Sequence, residues 1–245
     1  MIPEDNIKEF VERVRTAAGD NLESVILYGS AASGDYHPKF SNINLFCVLR
    51  DISYGKLRDL APVVKWWDRR KQPPPLFMTR RELERSTDVF TIELMDMVQH
   101  HRVLWGADVI QNLQIPMRLH RVQVEYELRE KLILLRQHLL MAGNDERRMR
   151  ELLVRSVASF ATLFRHALIA LGQSEPVTRR EAVRRLSAAV GFDPSAIEQV
   201  LDVRERHADG KKLHALEIVG SYLEAVEKVA GAVDGILGAD TPDRS

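Results

Sequence analysis

The sequence predicts an α+β protein: a mixed sheet with flanking helices over residues 1–112, then an antiparallel helical bundle over residues 113–245. Two apolar runs, Val25–Tyr28 and Asn42–Leu49, flank a Gly/Ser-rich turn and a His-Pro, the pattern of two strands joined through an exposed loop. Near Pro116 the alternation of strand and helix signals gives way to uninterrupted helical periodicity. The long amphipathic stretches beyond it are joined by short loops, which places them antiparallel.

Each element has its own warrant. Ile7, Phe10, Val11 and Val14 recur at helical spacing, with Glu4, Asp5 and Glu9 near the start, where the helix dipole favours acids. Asp20-Asn21 turns the chain into the first strand. After Leu49, the spacing of Tyr54, Leu57, Leu60, Val64 and Trp67 predicts a helix over Ser53–Asp68 that crosses one face of the sheet. Pro73-Pro74-Pro75 forces an extended entry into a strand at Leu76–Met78, and Thr79 with Glu82 forms a capping-box pattern that starts another helix. Phe90, Ile92 and Leu94 alternate with Thr91 and Glu93, which suggests a short strand, though the run is ambiguous with a helix. His100 and His101 are adjacent and point apart, without the spacing of helical zinc ligands, so they read as polar surface.

A linker over 107–115 leads into the bundle. Leu128, Leu132, Leu135 and Leu139 form one apolar stripe, and Leu153, Val157, Phe160, Phe164, Ala167 and Leu171 a second. The Thr178/Glu181 capping box starts a third helix and Asp193-Pro194 a fourth. Leu216, Val219, Leu223, Val226, Ala230, Val233 and Leu237 supply a fifth, and Gly238–Ser245 reads as a frayed tail. Arg118, Arg121, Arg129, Arg136, Arg147, Arg148, Arg150 and Arg155 are either a solvated charged face or a basic wall turned toward the Gly29-Ser30 turn across a cleft between the two parts.

The chemistry concentrates in that turn. Gly29 and Ser30 stop the first strand abruptly. Gly29 has no Cβ to block a ligand, Ser30 offers a hydroxyl and an N–H, and Ala31-Ala32 can begin a short helix whose first amides point at an anion before Gly34 ends it. Because strand side chains alternate, Asn42 and Asn44 fall on one face of the second strand, beside the turn.

With LYGSAASGD in front and SNINLFCVL behind, this stretch resembles the nucleotidyltransferase superfamily, in its kanamycin-nucleotidyltransferase-like and polymerase-beta-like group. The family frame is an apolar strand, Gly-Ser, a short spacer and Asp-apolar-Asp on the next strand. The resemblance covers the α/β part, whereas the helical part matches only in architecture. It implies nucleotide binding at Gly29, Ser30, Asn42 and Asn44. In the family the two aspartates hold Mg²⁺ ions that bridge the nucleotide phosphates, and a third carboxylate on a neighbouring strand helps activate the acceptor hydroxyl. Here Asn42 and Asn44 stand at the aspartate positions, and Leu76, Phe77 and Met78 are uncharged. Hard Mg²⁺ prefers anionic oxygen, so no metal is expected at Asn42 and Asn44. Glu93 and Asp96 are the candidate acids of a rearranged site, while Asp35, Asp68 and Glu82 read as turn, helix-end and capping residues.

Three functional readings follow. The first is a nucleotidyltransferase-fold protein with impaired or absent catalysis that binds nucleotide or regulates. The second is an active metal-dependent transferase acting on a small-molecule or protein hydroxyl, for which Mg²⁺ and a nucleoside triphosphate are the cofactors. In the third, the helical part binds a protein partner or a second copy, and the α/β part is scaffold. The 245 residues are 45% hydrophobic and 29% charged, with 35 basic against 35 acidic residues, so no global field draws the chain to nucleic acid or an anionic membrane. No apolar run approaches the roughly 20 residues of a membrane span, and the N-terminus lacks a leader pattern, so a cytoplasmic location is expected. The single cysteine, Cys47, reads as a buried, inert thiol.

Overall fold

The computed structural model describes residues 2–34, 36–38, 40–173, 178–205 and 207–239. The chain divides into two compact units, Met1–Pro116 and Met117–Ser245. The N-terminal unit holds α1 (Glu4–Ala18), β1 (Leu22–Tyr28), α2 (Ser30–Ser33), β2 (Asn44–Leu49), α3 (Tyr54–Asp68), β3 (Leu76–Thr79), α4 (Arg80–Arg85), α5 (Thr91–Gln99) and β4 (His101–Gly106). Its sheet runs β3-β2-β1-β4, with β1 antiparallel to both neighbours and β2 parallel to β3 across the α3 crossover.

Both faces of this sheet are covered, which is why its strands read as near-continuous apolar runs. On one face Val25, Leu27, Leu45, Cys47 and Leu49 pack with Ile7, Phe10 and Val14 of α1 and with Leu60, Val63 and Trp67 of α3. Phe10 and Trp67 meet there at 5.0 Å between ring centroids. On the other face Ile26, Phe46 and Val48 pack with Leu83, Leu94, Met97 and Ile110. Burial pushes the Cys47 thiol far up, so it stays protonated.

Four expectations need correction. Tyr54 and Leu57 are exposed, because the buried face of α3 starts a turn later, at Leu60. The segment from Thr91 is a helix rather than a strand: Thr91, Leu94 and Met97 are buried at three-residue spacing, and β4 occupies the sheet edge beside β1. The second strand begins at Asn44, leaving Asn42 in the approaching loop. At the C-terminus α10 runs on through Ala239, so Gly238 is helical, and the remainder of the expected tail lies outside the described residues.

The second unit contains α6 (His120–Ala142), α7 (Glu146–Ala170), α8 (Arg179–Val190), α9 (Ser195–Arg204) and α10 (Ala215–Ala239). α7 is the hub, packing on the other four. It is long and apolar enough to cross a membrane by length and composition, but more than half of that apolar window is buried inside the unit, as in the core helix of a bundle. Tyr222 of α10 is fully buried with its hydroxyl 2.9 Å from Ser156. Of the arginines singled out above, Arg129, Arg136, Arg147, Arg148 and Arg150 form ion pairs within this unit.

One of these contacts joins α7 to α10. The Glu146 carboxylate accepts hydrogen bonds from the backbone N–H of Ala215 at 2.6 Å and Leu216 at 3.1 Å, and from Arg150 at 3.3 Å, capping the start of α10 from another helix. Burial opposes the charge, but the Ala215, Leu216 and Arg150 bonds together outweigh it and hold the carboxyl below its ordinary value. A lowered folded pKa contributes stability above the unfolded value, about pH 4.3, that is lost as pH falls through the folded one. E146Q should therefore lose less stability than wild type between neutral pH and the acid side of that value. Urea midpoints of the two proteins across this range measure the difference, and parallel pH curves would remove Glu146 from the account.

Candidate functional site

The site is built at the C-terminal end of β1. Gly29 follows Tyr28 with φ 71° and ψ −153°, a backbone that L side chains rarely adopt. Its carbonyl accepts the amides of Ala32 at 2.9 Å and Ser33 at 3.0 Å, which closes the four-residue helix α2. The first amides of α2, those of Ser30 and Ala31, have no place in that ladder.

β2 brings Asn44 directly across from Tyr28. A Cβ built on Gly29 would stand 2.8 Å from Asn44 Nδ2, so the amide of Asn44 lies over the bare Cα of the turn. The structure thus brings Asn44 against Gly29, with Ser30 next in the chain. Asn42 sits differently, exposed ahead of the strand, while Ile43 between the two is fully buried and donates its N–H to Gln72 at 2.7 Å. Asp35 lies outside the described residues.

Beside Asn44 the sheet face carries a cavity of about 240 Å³, lined by Tyr28, Phe46, Leu76, Met78, Leu83, Ser86, Phe90, Glu93, Leu94 and Met97. The parallel register pairs Phe46 with Leu76 and Val48 with Met78, so β3 presents apolar side chains to this space. Its polar groups are Tyr28, Ser86 and Glu93. Burial raises the Tyr28 pKa first, and the negative charge of Glu93 raises it further, so the phenol remains a neutral donor at physiological pH. Asp96, three residues along α5 from Glu93, does not line the cavity. Among the described residues no group of three or more His, Cys, Asp or Glu is arranged to hold a metal ion.

His101, across β4 from Tyr28, places Nδ1 2.8 Å from the Met97 carbonyl and Nε2 3.0 Å from Asp108, whereas His100 ends α5. The two histidines therefore have separate roles. Tyr28 is the site residue that the sequence pattern passed over: it is the last residue of an apolar run, and its position directly before Gly-Ser was the available signal. A larger open hollow of about 490 Å³ lies along α6 and α7, but its Arg148 and Glu151 are tied to Asp145 and Arg147.

A family model described as a nucleotidyltransferase domain matches residues 7–99, from α1 through α5. That match, together with the fold, supports a nucleotidyltransferase-superfamily domain over these residues. Spectinomycin adenyltransferase from Enterococcus faecialis, crystallised with ATP and spectinomycin, has a similar structure: 14% identity and a TM-score of 0.57, over 94% of this chain and 99% of that one. At that identity the likeness speaks for the fold, and it extends through the helical unit. No curated protein matches the chain significantly. Within the matched residues the strand–turn–strand frame is in place, with neutral amides at Asn42 and Asn44 and an apolar β3 beside them.

Proposed function

We propose that the nucleotidyltransferase domain binds a nucleoside triphosphate at the Gly29-Ser30 turn and has lost metal-dependent transfer, acting in the cytoplasm as a nucleotide-binding or regulatory protein. The observation that carries this reading is Asn44, packed on Gly29 where the fold would call for a carboxylate. Phosphoryl-type transfer rests on positioning and charge neutralisation, and a site without anionic ligands gives up the metal part of that neutralisation. The donor set here, Asn42, Asn44 and the uncharged Leu76–Met78, does not fit a pair of Mg²⁺ ions, so no catalytic step is derived through them. Backbone amides at the turn still favour an anion. The ATP bound to the similar spectinomycin adenyltransferase supports a nucleotide as the ligand.

A second reading, an active transferase, is favoured by one feature: Glu93 lines the same cavity as Tyr28, next to Asn44. Calorimetric titration with ATP, GTP, CTP and UTP, with Mg²⁺ and with EDTA, together with a labelled-nucleotide transfer assay, separates the two. Under the first reading at least one nucleotide binds, its affinity survives EDTA, and no label reaches the protein or an aminoglycoside. Turnover that E93Q abolishes would establish the second reading. No binding by any nucleotide would overturn both.

A further inference from the structure

The walls of the cavity beside Asn44 select what can enter it. Seven of its ten lining side chains are aliphatic, aromatic or thioether, and of these Phe46, Leu83, Leu94 and Met97 are buried. Phe90 is exposed and marks the mouth. A hydrated cation, a phosphate or a sugar moved from water against such walls would leave polar atoms unpaired, whereas an apolar body gives up no hydrogen bonds there. An apolar cavity of about 150 Å³ takes up benzene, so the 240 Å³ here suits a body of about ten non-hydrogen atoms.

Two polar groups narrow the class further. The Tyr28 phenol lies at the end of β1, directly across from Asn44, and makes no side-chain hydrogen bond among the described residues. Burial keeps it protonated, and it stands near enough to Glu93, on the helical wall of the cavity, for that carboxylate's charge to reach it. It is therefore a donor without an acceptor beside an apolar space. Glu93 has a partner of its own, so its charge disfavours an anion without offering an ammonium group an open carboxylate. An ammonium would also leave Tyr28 unpaired, having no lone pair to accept its proton. A neutral molecule with one lone-pair oxygen satisfies both groups.

We propose that this cavity binds a neutral, apolar small molecule bearing a carbonyl or ether oxygen, to which Tyr28 donates its hydroxyl proton in a hydrogen bond. This ligand is distinct from a nucleotide at the Gly29-Ser30 turn, and the titrations that test it contain no nucleotide, so the two readings stand or fall separately. Calorimetric titration of the full chain with acetophenone is the test. Acetophenone should bind one to one, and benzoate and benzylamine, of similar size but charged, more weakly by roughly tenfold or more. Y28F should weaken acetophenone about fivefold and leave toluene, which has no acceptor, unchanged. L76F fills the cavity from β3 and should abolish binding of both, with far-UV circular dichroism confirming the fold. M78F carries the same test if L76F does not fold. No binding of acetophenone by wild type, tighter binding of benzoate or benzylamine, acetophenone binding that Y28F leaves unchanged or weakens no more than it weakens toluene, or binding that survives in a folded cavity-filling variant would each overturn the proposal.

Discussion

Gly106→Ala should destabilise the N-terminal unit by about 4 kcal/mol, combining backbone strain with steric overlap in a packed sheet. Gly106 ends β4 at φ 79°, paired with Ser24 of β1. A Cβ there would stand 2.1 Å from the Glu23 carbonyl oxygen and 3.0 Å from Ser24 Cα. Both are backbone atoms of the strand that leads into Gly29, so neither can rotate away as a side chain could. Relief would have to pull β4 from β1. That seam is further closed by the fully buried Ser24, whose hydroxyl lies 2.7 Å from the Ala107 carbonyl. Urea unfolding of G106A measures the loss. The control is G143A, where φ is 54° and nothing lies within 4 Å of the added methyl, so that only conformational strain, about 1 kcal/mol, should appear. Equal losses in the two variants would mean that the contact with Glu23 has no energetic weight.

How much of this was legible beforehand depended on whether a local pattern had one physical meaning. The Gly29-Ser30 turn had one, because an apolar β-branched run broken by Gly-Ser and followed by small residues fits few alternatives. The segment Phe90–Leu94 had two. Its alternation satisfied a strand over five residues, and only the burial of Thr91, Leu94 and Met97 against the sheet decides for α5. That change turned Glu93 from a strand residue into one lining a cavity with Tyr28. Asn42 depended on a strand boundary, and boundaries are set by partners that sequence does not display. Here Ile43 is anchored by the distant Gln72 before the ladder opens at Asn44. The exposure of Tyr126, Ile133 and Leu140 on α6 was hidden for a different reason: Leu128, Leu132 and Leu135 already explained a bundle helix, and nothing local distinguishes an apolar residue that remains exposed from one that is buried.

Restoring the missing charge should make the site respond to metal. In the variant N42D/N44D two near-isosteric changes place carboxylates on residues that flank the buried Ile43, one of them over Gly29. Asn44 lies over a glycine rather than in a shaped pocket, so packing should change little. Electrostatics should change more. Without a cation the two new charges repel, which raises at least one of their pKa values and lowers stability relative to wild type in EDTA. A hard divalent cation removes that repulsion and gains anionic ligands that the amides do not supply. Binding to the folded state alone then adds stability that grows with concentration, about 2.7 kcal/mol at a hundredfold excess over Kd. The melting temperature of N42D/N44D should therefore start below that of wild type in EDTA and rise through it on titration with Mn²⁺, while wild type stays flat. Transfer activity is not expected to return with it, because β3 still offers only Leu76, Phe77, Met78 and Thr79. The single variants divide the effect. N44D should carry the larger share, since Asn44 is fixed over the turn, whereas Asn42 sits exposed in the loop. If the double variant responds to Mn²⁺ no more than wild type, positions 42 and 44 do not converge beside Gly29-Ser30, and the account of Asn44 as the residue standing in the metal position fails with it.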